Sequence, residues 1–165
     1  MNATRLIAAL TLVLLSACSK DAAQAPAADS AANGSAVTLY FSAAAGLNPG
    51  AGGTPAPVRV RLYELKNSAA FARADYFALA ERAQATLGAD LIDQDEVLLQ
   101  PGEQLRLERP LDPATRQLGL VVGYREIDQA QWRSVLAVPP RDYQISLDVR
   151  AVRSAVATPQ PLPVR

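Results

Sequence analysis

The feature that most constrains the fold of this chain is a period-two alternation of apolar and polar residues. Val58, Val60 and Leu62 would lie on one side of an extended backbone, and their neighbours would lie on the other. Residues 104–108 and 142–152 alternate in the same way. An amphipathic helix repeats every 3.6 residues, so a period of two predicts strands that bury one face and expose the other.

Turn-forming residues divide the rest of the chain into further strands. Pro101-Gly102 fits the central positions of a type II turn and predicts a hairpin. Residues 118–124 are apolar on both faces, which is typical of a strand in the middle of a sheet. The last segment is predicted to be a single strand with Val149 turned inward. Seven short strands separated by turns predict an antiparallel two-sheet β-sandwich in one domain. The predicted strands are residues 37–41, 58–63, 91–99, 104–108, 118–124, 131–138 and 142–152.

A short helical insertion falls between the second and third strands, where the hydrophobic period changes from two to 3.6. Asp75 is the predicted N-cap, and Gly88 stands where a left-handed residue ends a helix. A shorter helical turn at residues 69–72 would place Phe71 against the same core. The apolar stripe of the longer helix consists of Tyr76, Leu79, Ala80, Ala83 and Leu87.

The N-terminus has the layout of a secretory signal peptide, with a positively charged start before the apolar residues 6–15. It ends at Leu15-Ser16-Ala17-Cys18, which resembles the bacterial lipobox. Cys18 is then predicted to be acylated and to become the first residue. The alternative is cleavage near Ala22 or Ala25, which would remove the cysteine. By resemblance to lipoproteins, Ser19 rather than Asp after the cysteine predicts sorting to the outer membrane, with the folded part facing the periplasm.

Composition divides the chain into four segments. Residues 1–17 are the predicted lipoprotein signal peptide. Residues 18–36 are the lipidated N-terminus and a flexible tether, because they contain no large apolar side chain to bury. Residues 37–153 form the predicted sandwich domain. Residues 154–165 form a Pro-rich tail that is predicted to be mobile.

The balance of charges and the scarcity of reactive side chains exclude several functions. Acidic and basic residues number 16 each, so no net field favours nucleic acid. The chain has no histidine and one cysteine, which removes the commonest general base and the commonest metal ligands. We expect no metal, no small-molecule substrate and no cofactor apart from the covalent acyl lipid on Cys18. The domain must also be stable without disulfides.

The first candidate site is the loop at residues 42–57, which is long for a compact domain and rich in Gly, Pro and Ala. Its centre, Leu47-Asn48-Pro49, is predicted to expose a leucine among small residues. An exposed apolar side chain in a loop stiffened by proline loses little entropy on docking, which favours a partner-binding role for these three residues. The alternative is that the loop is an entropic spacer.

The second candidate site is the acidic strand around Asp93 and Asp95. Alternation places these two carboxylates on one face and Glu96 on the other. The spacing fails as an EF-hand loop, because Leu98 and Gln104 stand where Gly and Glu are required. A solvated strand edge that resists edge-to-edge pairing is one interpretation. The alternative is a periplasmic ligand-binding or hydrolytic lipoprotein that uses the carboxylate pair.

Several segments occur in an order that resembles one known family. They are Val58-Arg59-Val60-Arg61-Leu62-Tyr63-Glu64-Leu65-Lys66, Phe71, Ala74-Asp75-Tyr76-Phe77-Ala78-Leu79, Leu87-Gly88-Ala89-Asp90-Leu91, Asp95-Glu96, Gln100-Pro101-Gly102-Glu103, Gly123-Tyr124-Arg125-Glu126-Ile127-Asp128 and Trp132-Arg133. With the lipobox and the Leu-Asn-Pro loop, the ordered set is similar to TssJ, the outer-membrane lipoprotein of the bacterial type VI secretion system. The similarity runs from about residue 37 to residue 152.

This resemblance implies a transthyretin-like sandwich without enzymatic activity. It also implies a structural role, in which the lipoprotein binds the periplasmic C-terminal region of the inner-membrane protein TssM, in a complex with TssL. In the family the loop between the first two strands is implicated in binding TssM. That loop corresponds to residues 42–57, and Leu47, Asn48 and Pro49 are the partner-binding residues it implies. The helix at residues 75–87 is left open as a second docking surface.

Overall fold

A computed structural model describes residues 36–158 of the chain. The predicted signal peptide, Cys18 and all of the tether except Ala36 lie outside the described residues. The elements are β1 (Ala36–Ala43), β2 (Val58–Leu65), α1 (Ala69–Arg73), α2 (Tyr76–Leu87), β3 (Leu91–Leu99), β4 (Gln104–Pro110), β5 (Gln117–Val122), β6 (Arg133–Ala137), β7 (Asp142–Leu147) and β8 (Val152–Val156).

The strands form two four-stranded sheets, and the predicted mainly-β sandwich with a short helical insertion is confirmed. One sheet has the order β4-β1-β7-β8, and the other has the order β3-β2-β5-β6. Every pairing is antiparallel except that of β1 with β7, which is parallel and sets Phe41 opposite Ile145. Apolar and polar residues alternate in the same way in parallel and antiparallel pairs, so the sequence pattern could not predict that β1 and β7 are parallel.

The main core lies between the two sheets. Leu39 and Ile145 from one sheet and Val60 and Leu120 from the other have no exposed surface and belong to one contiguous cluster. Burying a side chain of this size stabilises a fold by about 1.5–3 kcal/mol. The inward residues are the ones that the period-two alternation predicted.

A second, smaller core covers the outer face of the β3-β2-β5-β6 sheet. Phe71 of α1 and Leu79 and Leu87 of α2 pack there on Tyr63 and Val121. The helical insertion therefore packs on the outer face of this sheet, and the buried residues of both helices belong to this second core alone. Neither described helix has the length and hydropathy that crossing a membrane requires.

The predicted ends of the longer helix are confirmed. Asp75 is the N-cap, and its Oδ1 accepts a hydrogen bond of 2.8 Å from the Ala78 N–H. Gly88 follows the last residue with φ of 53°, in the region that favours glycine. Of the predicted stripe, Leu79, Ala83 and Leu87 are buried, and Tyr76 and Ala80 are half-buried at the margin.

The last predicted strand is two strands in the structure. The chain turns at residues 148–151, where the Asp148 N–H donates to the Ala151 carbonyl at 2.8 Å, and Val149 is exposed instead of inward. Strand β8 then pairs antiparallel with β7 and continues to Val156. The prediction that the sandwich ends at residue 153 is therefore wrong by three residues. The alternation runs unbroken through the turn, so it hides the reversal.

Candidate functional site

Three connections meet at one end of the sandwich, which we call the loop end. They are the β1–β2 loop (residues 44–57), the β5–β6 loop (residues 123–132) and the β7–β8 turn (residues 148–151). Backbone hydrogen bonds join them: the Asn48 N–H donates to the Val149 carbonyl at 3.2 Å, and the Gln131 N–H donates to the Arg150 carbonyl at 2.8 Å. The long loop that the sequence singled out is therefore part of a larger surface.

Asn48 is the residue that holds this end together. Its side chain is buried, with 4% of the residue exposed. Nδ2 donates to the Pro57 carbonyl at 2.8 Å, and Oδ1 accepts from the Arg125 N–H at 2.8 Å. Its φ of 49° lies in the left-handed region, which asparagine adopts more readily than most residues. Asn48 thus fixes both the end of its own loop and the start of the β5–β6 loop.

Leu47 lies in the core, and the prediction that the loop exposes this leucine is wrong. The residue has no exposed surface and belongs to the cluster between the sheets. Its N–H donates to the Ala44 carbonyl at 3.1 Å, and its carbonyl accepts from the Ala56 N–H at 3.0 Å. The loop folds back across the open end of the sandwich, where a large apolar side chain closes the core. Pro49 is half-buried beside it.

The outer part of the β1–β2 loop has internal hydrogen bonds, which argue against an entropic spacer. The Gly50 N–H donates to the Thr54 carbonyl at 3.1 Å, and the Gly53 N–H donates to the Gly50 carbonyl at 2.8 Å. Residues 51–55 are all exposed. The loop therefore presents a structured tip of small residues to solvent.

One charged side chain, that of Arg125, lies against the β1–β2 loop. A methyl group placed on Gly50 would lie 2.6 Å from Arg125 Nη1, so the guanidinium group rests directly against the loop. Behind it, Arg150 forms an ion pair with Glu126. The Tyr124 hydroxyl donates to the Asp148 carbonyl at 3.3 Å, and burial raises the pKa of this tyrosine. The loop end combines a rigid backbone with one cation at its rim.

The acidic strand forms ion pairs, and its two faces are as predicted. Arg109 of β4 contacts Asp93 at 2.5 Å and Asp95 at 2.8 Å, and its Nε lies 2.8 Å from Oε1 of the buried Glu64. On the opposite face, Glu96 lies 3.6 Å from an arginine of β2. The Arg109 cluster joins the edge of one sheet to the edge of the other. The carboxylates of Asp93 and Asp95 therefore have a structural role, as the ion-pair partners of Arg109.

A groove of about 560 Å³ lies between α2 and the outer face of β2 and β3, beside Asp95 and Glu96. Such a concave surface is what the hydrolytic alternative requires. However, both carboxylates are in ion pairs, and the Tyr63 hydroxyl at the floor donates to the Leu79 carbonyl at 2.9 Å. Burial raises the pKa of Tyr63 to about 12, which leaves it a poor base or nucleophile at neutral pH. Across residues 36–158, no three His, Cys, Asp or Glu side chains are placed to hold a metal ion.

Sequence reasoning found the β1–β2 loop but missed its two neighbours. Arg125 stands 77 residues from Asn48 in the chain, and nothing in either local sequence announces their contact. Val149 was assigned to a strand interior. The only available signal was negative: Gly123 breaks the apolar run of β5, which marks the point where the next loop starts.

Comparisons with known proteins identify the family. The family model of the type VI secretion lipoproteins, described as VasD, EvfM, TssJ and VC_A0113, matches residues 35–153. The lipoprotein TssJ1 of Pseudomonas aeruginosa is 53% identical, with 77% of this chain and 98% of that chain covered and a TM-score of 0.72. Serratia marcescens Lip, a membrane-bound component of the type VI secretion system, is 28% identical, with coverages of 73% and 96% and a TM-score of 0.70.

A third match comes from a structure described as the type VI secretion protein TssM C-terminal domain from EAEC. It is 31% identical, covers 74% of this chain and 98% of that chain, and has a TM-score of 0.65. A comparison with curated protein sequences gave no match. The family match spans most of the chain and agrees with the resemblance in sequence and with the fold. The chain belongs to the TssJ family of type VI secretion lipoproteins, a family of structural proteins and not of enzymes.

Proposed function

We propose that this chain is anchored in the outer membrane by an acyl lipid on Cys18 and binds the periplasmic C-terminal region of a TssM-like inner-membrane protein. TssM would act in a complex with TssL, so the lipoprotein would tether that complex to the outer membrane. The observation that carries the binding half of the proposal is the loop end, which presents an exposed tip on a base held by several hydrogen bonds. A preorganised loop loses little entropy when a partner docks.

The comparisons support the choice of partner. A chain that aligns with this sandwich over 98% of its own length, at 31% identity, belongs to a structure described as the TssM C-terminal domain. A further match, also at 31% identity, belongs to a structure described as a type VI membrane complex. We therefore take a TssM-like protein as the partner to test.

Leu47, Asn48 and Pro49 keep a role in this proposal, but two of them act from inside the loop. Leu47 closes the core and Asn48 sets the path of the backbone, so neither side chain is free to contact a partner. Pro49 is half-buried and can contribute contact area. The direct contacts then come from the exposed tip, residues 51–55.

The exposed tip can be blocked without disturbing the triplet. We predict that Ala51→Arg leaves the fold intact, because this side chain is exposed, and abolishes co-purification with the TssM periplasmic domain by placing a bulky charge in the contact. The measurement is pull-down of purified TssM domain by the lipoprotein in detergent. The matched control is Ala155→Arg, which introduces the same side chain at an exposed position on β8.

The two variants together decide the proposal. Retained co-purification by Ala51→Arg would show that the tip is not the partner-binding surface. Equal loss in both variants would point to a general effect of added charge. The supporting result is loss in Ala51→Arg alone, with both variants unfolding at the wild-type urea concentration.

A further inference from the structure

The loop that carries the proposed contact has no charged residue of its own. Residues 44–57 consist of Ala, Gly, Pro, Leu, Asn and Thr, and the exposed tip contains only small side chains and proline. Such a surface costs little side-chain entropy and little desolvation on docking. It also offers little to discriminate one partner from another, since specificity comes from groups that are satisfied by the right partner and left unpaired by the wrong one.

Arg125 supplies a directional group at this surface. Its N–H is held by Asn48 Oδ1 at 2.8 Å, which fixes the point where the side chain leaves the backbone. Its Nη1 would lie 2.6 Å from a methyl group on Gly50, and its Cζ would lie 3.8 Å from it. Only a residue without a side chain at position 50 lets the guanidinium group rest on the loop. Arg125 is nonetheless exposed to solvent.

The guanidinium group of Arg125 has no carboxylate partner within the described part of the chain. Two acids of the loop end are occupied by other arginines, because Glu126 pairs with Arg150 and Asp148 lies 3.7 Å from Arg153. Arginine carries five N–H donors in a planar fork that matches a carboxylate with two parallel hydrogen bonds. The donors of Arg125 are therefore placed at the rim of the loop and available to a bound partner.

We infer that Arg125 is the specificity-determining contact of the loop end and that it binds an Asp or Glu carboxylate on the partner. This inference rests on the proposed function and deepens it: the partner segment would carry an acidic residue beside a stretch that packs on the uncharged tip. Charge complementarity favours an acidic partner residue, since the charged group found in contact with the loop is the guanidinium group of Arg125. Gly50 is a positioning residue, which leaves space for the guanidinium group.

The test compares the affinities of four variants for the purified TssM periplasmic domain, with the full mature lipoprotein in detergent and biolayer interferometry as the readout. Arg125→Gln should weaken binding about tenfold or more, and Arg125→Lys should recover only part of it, because an ammonium group cannot form the two-pronged contact. Gly50→Ala should weaken binding severalfold by displacing the guanidinium group. Gly46→Ala is the matched control, because Gly46 lies in the same loop but outside the exposed tip, and its added methyl group would make only an ordinary van der Waals contact, at 3.7 Å from Val149 Cγ2.

The outcomes separate this inference from the function on which it rests. If the wild-type chain does not bind the domain, the proposed function fails. If it binds and Arg125→Gln binds equally well, the inference is overturned and the function stands. Equal affinity of the two glycine variants would also overturn the placement of the guanidinium group. Raising the salt concentration should reduce the difference in affinity between the wild type and Arg125→Gln, because salt screens the charge contact. If the wild type binds anionic phospholipid vesicles and Arg125→Gln does not, the arginine contacts lipid phosphate and the inference is overturned.

Discussion

A single asparagine organises the loop end of this molecule. The Asn48 side chain joins the Pro57 carbonyl, where β2 is about to start, to the Arg125 N–H, where β5 has just ended. Its own N–H reaches the Val149 carbonyl in a third connection. One residue thus links three backbone segments that are distant in the chain, and it does so from a left-handed conformation that most residues avoid.

We predict that Asn48→Ala lowers the free energy of unfolding by about 2–4 kcal/mol, since it loses both hydrogen bonds of a buried side chain and places alanine in the left-handed region. Asn48→Gly is the matched variant, because it loses the same bonds without the steric cost of a Cβ. It should therefore be less destabilised than Asn48→Ala. Urea denaturation followed by circular dichroism measures both. An Asn48→Ala midpoint equal to wild type would contradict the role given to this side chain.

Local sequence predicted the importance of the Leu47-Asn48-Pro49 triplet but not how it works. A leucine among glycines and alanines indicates exposure only if the loop extends into solvent, and this loop instead folds over the end of the core. The hydrogen bond from Arg125 to Asn48 spans 77 residues of chain, so no local pattern contains it. Whether the triplet belongs to the partner contact stays a prediction.

At the scale of elements, the helical insertion depends on one close approach. Gly119 in β5 lies under the ring of Phe71 from α1, and a methyl group there would lie 2.6 Å from two ring carbons. The ring also contacts the ring of Tyr63 in a tilted arrangement, with a centroid distance of 5.6 Å and an interplanar angle of 53°. Because Gly119 has no side chain, the Phe71 ring can pack directly against β5 as part of the second core.

We predict that Gly119→Ala lowers the free energy of unfolding by about 1–3 kcal/mol, which is typical of overpacking in a well-packed core. Phe71→Leu removes the clashing ring and should itself be destabilising, because it deletes buried contacts. The double variant should then be more stable than the sum of the two single effects predicts, since the two residues share one contact. Urea titration of the four proteins measures this coupling. Simple additivity would show that the ring can move aside without cost.

The strands and helices were largely predictable because their signals are local. Period-two alternation located the strands, and Asp75 and Gly88 marked the ends of α2 through hydrogen bonding and backbone conformation that a short segment determines. The parallel pairing of β1 with β7 and the turn at residues 148–151 were not predicted. Both depend on which strands meet in space, and an uninterrupted alternation conceals a reversal of the chain.

At the scale of the whole molecule, the proposed function needs a contact surface that the sandwich holds in place. The sheets share a hydrophobic core, and Arg109 clamps their edges by pairing with Glu64 of β2 and with two aspartates of β3. The Arg109–Glu64 pair is largely buried, so removing Arg109 would leave an uncompensated buried charge and be strongly destabilising.

The membrane to which the lipid anchor is sorted offers a test of the proposed tethering, because the sorting variants leave the sequence of the folded domain unchanged. We predict that the wild-type chain fractionates with the outer membrane, that Cys18→Ser does not, and that Ser19→Asp remains lipidated but fractionates with the inner membrane. Sucrose-gradient separation of membranes and the mass of the mature N-terminus measure all three. A mature chain that begins after Ala22 or Ala25 would instead establish cleavage without lipidation.

The Ser19→Asp variant isolates tethering from binding, because its loop end is the wild-type one. It should bind the purified TssM domain with wild-type affinity and yet fail to support secretion of a type VI substrate, since both ends of the link would then sit in the same membrane. Cys18→Ser should fail in secretion as well, but by releasing the domain from membranes. If Ser19→Asp is confined to the inner membrane and secretion remains at the wild-type level, the proposal that this protein links the two membranes is contradicted. Its role in secretion would then have to be explained by partner binding alone.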